Sequence, residues 1–393
     1  MRTVLLTAAL ALVVPAFGPI PADASSPVES PRTSAASDTT AQRAGVPKLK
    51  IRKVVRNVDH PWDVRSLPGG DLIFTQRDRA TLSVLTKGKV RKVDFPSDQV
   101  WVQGETGLMG LEVDPEFATN RRVYTCQGGF TGGGHDVRVM AWTLSEDLRT
   151  ATSAGQLIGG FPTSSGRHGG CRLLIDDAGS LLVGTGDAAI GTNPRDLDSL
   201  GGKTLRLDRM TGAAWPTNPY AAEGGNRSFV HTYGHRNVQG LTQRSDGTLW
   251  SVEQGTSRDD EVNLLKNGGD YGYNPVPGYN ESVPMTDQSL PGKQVNAAWS
   301  SGDPTLAASG GGFVYGSRLG AYNGTLAVAI LKDQRVLFLK LTKAGKLRHV
   351  QVPSVLRRYG RIRTVVDGPG SSFYVTTDNG DGNDAILRVR PHG

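Results

Sequence analysis

A histidine surrounded by glycines is the first residue in the sequence that could transfer a proton. His168 lies in the run SSGRHGGCRL, residues 164–173, where the glycines allow a ligand to approach the backbone closely. Histidine is the side chain best suited to accept a proton near neutral pH. A loop histidine bonded to the backbone would show the same pattern, so the residues alone leave a catalytic and a structural role open.

A second polar segment is YGHRNVQGL, residues 233–241. Its His, Arg, Asn and Gln side chains would be costly to bury without hydrogen-bond partners. Either they pair with neighbouring carbonyls, or Arg236 and Asn237 face a cavity and hold an anionic ligand. Residue types alone do not decide between these roles.

Three more cations stand out near the end of the chain, Lys332 in ILKD and the pair Arg361 and Arg363 in GRIR. Residues two apart on a strand face the same side, so the two arginines converge on one point. Converging cations repel each other unless an anion lies between them. The pattern therefore predicts an anion at this point.

The segment EQGTSRDDE, residues 253–261, is dense in oxygen donors around a glycine. Oxygen ligands are those that a hard cation such as Ca²⁺ requires. The spacing is not that of an EF-hand, so an acidic solvated loop stays an alternative.

Cys126 and Cys171 are the only cysteines. In an oxidising compartment they are expected to form a disulfide, and two buried thiols are the alternative. A zinc site is disfavoured because two thiolates would need two further ligands at matching spacing.

The elements that must position these residues are short strands and turns. The chain has 51 Gly and 22 Pro in 393 residues, and 37% of its residues are hydrophobic, so bulk disorder is excluded and turns are frequent. The net charge of +7 is modest and no dense Lys/Arg run occurs. A concentrated anion site is favoured over a nucleic-acid surface, and no nucleic-acid partner is expected.

A turn followed by a short alternating strand recurs six times, at intervals of 47 to 77 residues. Each interval accommodates four short antiparallel strands, and no stretch keeps a helical apolar stripe for three turns. The repeat predicts an all-β fold, a six-bladed β-propeller of four-stranded antiparallel blades, over two β-sandwiches. The apolar residues that follow the turns are Leu72, Val123, Leu181, Leu249, Leu326 and Phe373.

The N-terminal residues predict export. Residues 1–24 combine a charged start, an apolar run and a small-residue cleavage site, as in a secretory signal peptide. An uncleaved anchor would need about 20 unbroken apolar residues, and Pro15 and Pro19 interrupt this run. Residues 25–46 are predicted to be a disordered Ser/Thr/Pro/Ala linker and residues 47–393 the propeller. The protein is expected to be secreted, extracellular or periplasmic, without a membrane span.

Taken in order, these segments resemble the soluble pyrroloquinoline quinone (PQQ) dependent glucose dehydrogenases and the related aldose sugar dehydrogenases, which are six-bladed propellers. The resemblance runs from about Val58 to Val389. No single landmark is sufficient alone. The landmarks are GETGLMGLEVDPEF at Gly104, RHGGCRL at Arg167, LGGKTLRLDRMTG at Leu200, YGHRNVQGL at Tyr233, EQGTSRDDEVNLLKNGGDYGY at Glu253, Lys332, and RIR at Arg361.

The resemblance implies that His168 is the general base that takes the sugar C1 hydroxyl proton while hydride moves to PQQ. It also implies a Ca²⁺ ion that acts as a Lewis acid on the quinone. Backbone carbonyls of Gly255 and Thr256 match its ligands, although the family has Pro where this chain has Thr256. The residues that match the family's PQQ-holding set are Arg236, Asn237, Lys332, Arg361 and Arg363.

Three departures from the family pattern lie close to the expected reaction centre. Glu105 stands where the glucose dehydrogenases have Gln beside the cofactor, Arg167 replaces an Asp next to the base, and Cys171 replaces a Gly. Arg167 either pairs with Glu105 or lies against His168. In the second case it lowers the pKa of His168, and the carboxylate that would orient the base is lost.

The sequence therefore predicts a secreted quinoprotein dehydrogenase that oxidises an aldose at C1 to its lactone. Electrons pass to an external acceptor, because no CxxCH haem motif is present. The alternative is a non-catalytic extracellular propeller that binds a glycan or a protein. A metal-dependent lactonase is disfavoured, because a cluster of cations would repel its metal. Substrate choice is assigned to two loops, residues 128–136 and 271–303.

Overall fold

Six four-stranded antiparallel sheets make up the structure, a computed structural model that describes residues 45–392. The sheets are the blades of a six-bladed β-propeller, which confirms the predicted fold class. The predicted signal peptide, residues 1–24, lies outside the described residues, as does the predicted linker up to residue 44. Within residues 45–392, no helix is long and apolar enough to cross a membrane.

The strands follow one another in chain order from blade to blade, except that the first strand, β1 (Leu49–Val58), belongs to the last blade. Blade 1 contains β2 (Pro61–Ser66), β3 (Leu72–Gln76), β4 (Thr81–Thr86) and β5 (Lys89–Lys92). Blade 2 contains β6 (Leu108–Val113), β7 (Arg122–Thr131), β8 (Gly134–Leu144) and β9 (Ala151–Phe161). Blade 3 contains β10 (Gly170–Ile175), β11 (Ser180–Thr185), β12 (Lys203–Asp208) and β13 (Val230–Tyr233).

The second half of the ring repeats this arrangement. Blade 4 contains β14 (Val238–Gln243), β15 (Leu249–Glu253), β16 (Glu261–Leu264) and β17 (Trp299–Ser300). Blade 5 contains β18 (Ala308–Val314), β19 (Thr325–Ile330), β20 (Arg335–Leu341) and β21 (Leu347–Gln351). Blade 6 contains β22 (Ile362–Gly368), β23 (Ser372–Thr377), β24 (Asp384–Pro391) and β1.

Helices are short, as predicted. The one α-helical turn among the described residues is Phe117–Asn120. The 3₁₀ turns are Ser97–Gln99, Ala221–Glu223, Asn226–Phe229, Ser317–Tyr322 and Ser354–Tyr359.

The repeated turn signal marks the second strand of every blade. Each of the six apolar residues that follow a predicted turn lies in β3, β7, β11, β15, β19 or β23. Five of these residues are buried and Leu249 is partly buried. Leu181 and Leu173 of blade 3, for example, share a cluster with Val139 of blade 2. A single sheet cannot bury both faces, so stacking the blades around a ring builds the core.

The start of each inner strand positions the polar residues found in the sequence. The first strands of the six blades are neighbours around the central channel. Glu105, His168, Asn237 and Arg361 all lie within three residues before β6, β10, β14 or β22. We call this end of the ring the upper face.

The two predicted substrate loops differ in structure. Residues 128–136 do not form an open loop, because β7 and β8 continue to pair as far as Thr131 and Gly134 and leave only a tight glycine turn. Residues 265–298, between β16 and β17, contain neither helix nor strand, in agreement with the second predicted loop. Only this second loop reaches the site described below.

The two cysteines form a disulfide, which decides the question that the sequence left open. Cys126 lies on β7 of blade 2 and Cys171 on β10 of blade 3. The bond therefore joins two adjacent blades three residues after His168.

Candidate functional site

A cavity of about 320 Å³ opens at the upper face. It is lined by the charged or titratable residues His60, Arg77, Glu105, Arg361, Arg363 and Asp378, together with amide side chains and backbone. Arginine side chains from two blades therefore line one space. Such a lining suits an anionic ligand.

The anion predicted between Arg361 and Arg363 is a residue of the chain. Arg363 donates to Asp378 Oδ2 at 2.7 Å, and an Arg361 nitrogen lies 3.6 Å from the same oxygen. Burial opposes the charge on Asp378, but Arg363 and a hydrogen bond from His60 outweigh it, so the pKa of this carboxyl is lowered. The same hydrogen bond raises the pKa of His60.

His168 is a buried side chain held by a carboxylate. Its Nδ1 lies 2.8 Å from Asp187 Oδ1, and only 3% of the residue is exposed. The Tyr279 hydroxyl donates to Asp187 Oδ2 at 2.7 Å and lies 3.1 Å from His168 Nδ1. Since Nδ1 faces a carboxylate, this nitrogen carries the proton, and Nε2 presents a lone pair.

The backbone around His168 is held in an uncommon conformation. His168 has a φ of 51°, in the left-handed region that non-glycine residues seldom occupy. Its N–H donates to Glu105 Oε2 at 3.0 Å, and Asn237 Nδ2 lies 3.5 Å from the same oxygen. Asn237 Oδ1 in turn accepts the Gly170 N–H at 3.1 Å. Glu105 and Asn237 therefore fix the peptide that carries the His168 side chain.

Arg167 does not pair with Glu105, which was one of the two arrangements expected from the sequence. Its NH2 lies 3.5 Å from His168 Nε2 and 3.2 Å from Glu281 Oε1. Glu281 also accepts Arg236 NH2 at 2.6 Å. Burial would raise the pKa of Glu281, but the bond from Arg236 outweighs it and lowers this pKa. Glu281 thus links the two cations at the mouth of the site.

The remaining predicted cations differ in their surroundings. Arg236 is 5% exposed and donates through NH1 to the Gln254 carbonyl at 3.2 Å. Gln254 itself lines the upper cavity. Lys332 is exposed in the turn after β19, next to Leu331, which lines the cavity. The structure thus brings five of the six predicted cofactor-binding residues to the cavity or within one contact of it, and Lys332 to its edge.

The predicted calcium loop follows β15. Gly255 N–H donates to the buried Asp260 carboxylate at 3.0 Å, which orders the turn. Within residues 45–392, no hydrogen bond reaches the carbonyl oxygens of Gly255 and Thr256. The Thr256 hydroxyl oxygen is buried there and also lacks a partner.

Sequence reasoning missed Asp187, Tyr279 and Glu281. The carboxylate expected to be absent beside His168 is supplied by Asp187, from the end of β11. The pairing of β10 with β11 could have revealed it, because Gly170 lies opposite Thr185 and the residues two further out are His168 and Asp187. No periodic signal marks Tyr279 or Glu281, which come from the irregular segment 265–298.

Comparisons with known proteins show similarity to sugar dehydrogenases. The family model described as glucose/sorbosone dehydrogenase matches residues 58–388. An aldose sugar dehydrogenase of Escherichia coli strain K12 is 28% identical, over 87% of this chain and 93% of that protein.

Two solved structures are similar in fold. The PQQ-bound form of an aldose sugar dehydrogenase from Streptomyces coelicolor has a TM-score of 0.74 at 25% identity and covers 89% of this chain and 100% of its own. The apo-form of an aldose sugar dehydrogenase from Escherichia coli has a TM-score of 0.79 at 27% identity, with coverage of 88% and 100%.

Proposed function

The chain belongs to the glucose/sorbosone dehydrogenase family, and we propose that it is a secreted quinoprotein dehydrogenase that oxidises an aldose sugar at C1 to the lactone. The observation that carries the proposal is the buried His168–Asp187 pair beside a cavity lined by arginines. The aldose sugar dehydrogenases of Escherichia coli and Streptomyces coelicolor support the substrate class.

The donors around the cavity suit PQQ, a tricarboxylate. Arg236 Nε and Arg363 Nε are buried and have no hydrogen-bond partner within the described part of the chain. Leaving such donors unpaired costs about 1–3 kcal/mol each, or more for charged groups, which a ligand carboxylate would relieve. The residues proposed to hold PQQ are Glu105, Arg236, Asn237, Lys332, Arg361 and Arg363.

The loop after β15 suits Ca²⁺. Two adjacent carbonyl oxygens, those of Gly255 and Thr256, accept no hydrogen bond from residues 45–392, and oxygen is the ligand that Ca²⁺ prefers. The partnerless hydroxyl of Thr256 adds a third oxygen where the family has Pro. We therefore assign the ion to Gly255 and Thr256.

PQQ with Ca²⁺ supplies, when bound, a two-electron acceptor for the hydride on the sugar C1. The chain itself manages the proton: His168 Nε2 accepts it from the C1 hydroxyl. Asp187 accepts the Nδ1–H bond, fixes the tautomer and stabilises the imidazolium that forms. Tyr279 donates to the second oxygen of Asp187 and so holds the carboxylate in place.

The mouth of the site offers contacts for sugar hydroxyls. Arg167 and Glu281 form an ion pair in which 47% and 42% of the side chains are exposed. Arg167 also lies near His168 Nε2. When a sugar binds, its C1 hydroxyl replaces Arg167 as the hydrogen-bond partner of this nitrogen. Electrons then leave to an external acceptor.

Export is part of the proposal. The signal-peptide pattern of residues 1–24 supports it. The Cys126–Cys171 disulfide supports it as well, since such bonds persist in oxidising compartments.

The test is a titration of the purified protein with PQQ, with and without Ca²⁺, followed by quinone absorbance and its bleaching by a panel of aldoses. We expect Ca²⁺-dependent binding at micromolar PQQ and reduction by at least one aldose. The His168→Ala variant should bind PQQ, but the bound PQQ should not be reduced by the sugar. The control is His349→Ala, at an exposed histidine on β21, which should behave as the unchanged protein. Absence of binding with Ca²⁺ present would refute the proposal and favour a non-catalytic propeller that binds a glycan or a protein.

A further inference from the structure

Four cations face one another on the outer edge of blade 6. In the pairing of β1 with β24, Lys50 lies opposite Arg390 and Arg52 lies opposite Arg388. Residues two apart on a strand share a face, so all four side chains lie on the same side. Like charges directly opposite each other destabilise a sheet. We call these four residues the basic ladder.

The basic ladder has no acidic partner. Within residues 45–392, none of its four members forms a salt bridge. Arg388 donates instead to the Ser372 hydroxyl and the Pro369 carbonyl. A cavity of about 230 Å³ is lined by these four residues alone. Four cations around one small cavity form a binding site for an anion, and no acidic residue of the described chain occupies it.

The ladder lies within a larger basic surface. Residues 45–58, 79–93, 334–360 and 385–392 contain 19 of the 44 Lys and Arg residues and none of the 37 Asp and Glu residues. These segments include β21, β1 and β5, the outermost strands of the consecutive blades 5, 6 and 1, and β24, which pairs with β1. We call this surface the basic rim.

The other half of the ring shows the contrast. The outermost strands of blades 2, 3 and 4 are β9, β13 and β17, and none of these three contains a Lys or Arg residue. Among the outermost strands, Lys and Arg residues are therefore confined to blades 5, 6 and 1. Such asymmetry is a signature of association with a partner of opposite charge.

We propose that the basic rim binds a flexible, linear polymer of phosphate groups and that the basic ladder binds one of these groups. Guanidinium groups donate two parallel N–H bonds to a phosphate, which suits Arg52, Arg388 and Arg390. The rim extends over three of the six blades of a convex ring. A flexible chain follows such a curve, whereas a flat anionic bilayer touches it only along a narrow strip.

The test measures binding of fluorescently labelled long-chain inorganic polyphosphate to the full-length protein over a series of salt concentrations. We expect the logarithm of the binding constant to fall linearly with the logarithm of the salt concentration. Lys50→Gln/Arg390→Gln should weaken binding about tenfold and reduce this slope by about two, one for each lost phosphate contact. Sugar oxidation should be unchanged, because both positions are exposed on the outermost pair of blade 6.

The matched control is Lys266→Gln/Lys293→Gln, which removes the same charge from exposed positions near blade 4. This variant should keep the affinity and the slope. An equal loss in both variants would show that net charge alone attracts the polymer and would overturn the proposal. The melting temperature of the Lys50/Arg390 variant should be the same or higher, since a like-charge pair is removed, so its loss of binding cannot be assigned to unfolding.

Further binding measurements distinguish among the possible phosphate-containing ligands. Free inorganic phosphate should compete only weakly, since it lacks neighbouring charges. Stronger binding to vesicles of phosphatidylglycerol or to duplex DNA than to polyphosphate would overturn the assignment to a flexible phosphate chain. Failure of PQQ binding would leave this result untouched, because the rim is tested without cofactor or sugar.

Discussion

Asp187 is the residue on which the proposed base depends. Its Oδ1 lies 2.8 Å from His168 Nδ1 and also accepts the Ala189 N–H at 2.8 Å. In Asp187→Asn the amide oxygen can still accept from Ala189 and from His168 Nδ1, but the neutral amide no longer stabilises the imidazolium that forms on proton transfer. We expect kcat for sugar oxidation to fall by on the order of 10² to 10⁴, with PQQ affinity unchanged, in steady-state assays of the reconstituted enzyme.

Asp177→Asn is the matched control, because it makes the same change at an exposed turn of blade 3. Its kcat should equal that of the unchanged protein. A fall of less than threefold in Asp187→Asn would show that His168 acts without its carboxylate.

Glu105 combines a structural contact with an unfavourable charge. One oxygen, Oε2, accepts the His168 N–H at 3.0 Å and lies 3.5 Å from Asn237 Nδ2. A glutamine carbonyl can take that place, so Glu105→Gln should keep the peptide of the base in position. Removing a negative charge from the cavity should raise PQQ affinity about tenfold in an absorbance titration with Ca²⁺. A weaker affinity would show that Glu105 holds the cofactor through its negative charge and not only through an oxygen that glutamine also offers.

At the scale of strands, the residues of the site that could be predicted are those next to strands of the six-fold repeat. The turn signals located the second strand of every blade, and the glycine run marked the start of β10, where His168 lies. Pairing of β10 with β11 then places Asp187 beside it. Tyr279 could not be found in this way, because the segment 265–298 follows no alternation and its path is set by long-range contacts with Asp187 and His168.

A pair of buried carboxylates joins β15 to β16. Glu253 lies opposite Glu261 in the register, and both are buried. Glu253 accepts hydrogen bonds from His235 Nδ1 and the Arg236 N–H. Burial, and then the charge of Glu253, raise the pKa of Glu261 to about 8. Glu261 is therefore protonated at neutral pH.

This pair predicts a pH dependence of stability. In the unfolded chain Glu261 ionises near its ordinary pKa of 4.5, whereas the folded protein keeps the proton to a higher pH. Its contribution to stability is present below the unfolded pKa and is lost as pH rises through the folded one. Thermal melting should therefore shift to lower temperature between about pH 5 and 8, and the shift should be smaller in Glu261→Gln.

The side-chain amide of Asn263 can form a hydrogen bond with a glutamine at position 261, so Glu261→Gln should be tolerated. Asn263 Nδ2 lies 3.2 Å from Glu261 Oε2, and Asn263 Oδ1 is buried without a partner in the described chain. Turning this amide gives its oxygen a donor, either the protonated carboxyl or a glutamine amide. Glu146→Gln, at an exposed position, is the control. An identical pH profile for Glu261→Gln and Glu146→Gln would show that Glu261 does not titrate in this range.

At the scale of the molecule, a propeller must be held as a closed ring. Blade 6 closes it, because β1 from one end of the described chain pairs with β24 from the other, from Leu49 opposite Pro391 to Val58 opposite Asp384. This pairing leaves no open gap between first and last blades. The disulfide adds a covalent link elsewhere in the ring, between blades 2 and 3.

The disulfide should stabilise the whole ring. It joins Cys126 and Cys171, 45 residues apart, and closing a loop of that length lowers the entropy of the unfolded chain by an amount worth about 4 kcal/mol. Denaturant unfolding of Cys126→Ala/Cys171→Ala should show a loss of this order. Reduction of the disulfide in the unchanged protein should lower the free energy of unfolding by a similar amount. The free energy of unfolding of the double variant should not change on addition of reductant. Equal stability of oxidised and reduced protein would mean that the β1–β24 closure alone restrains the ring.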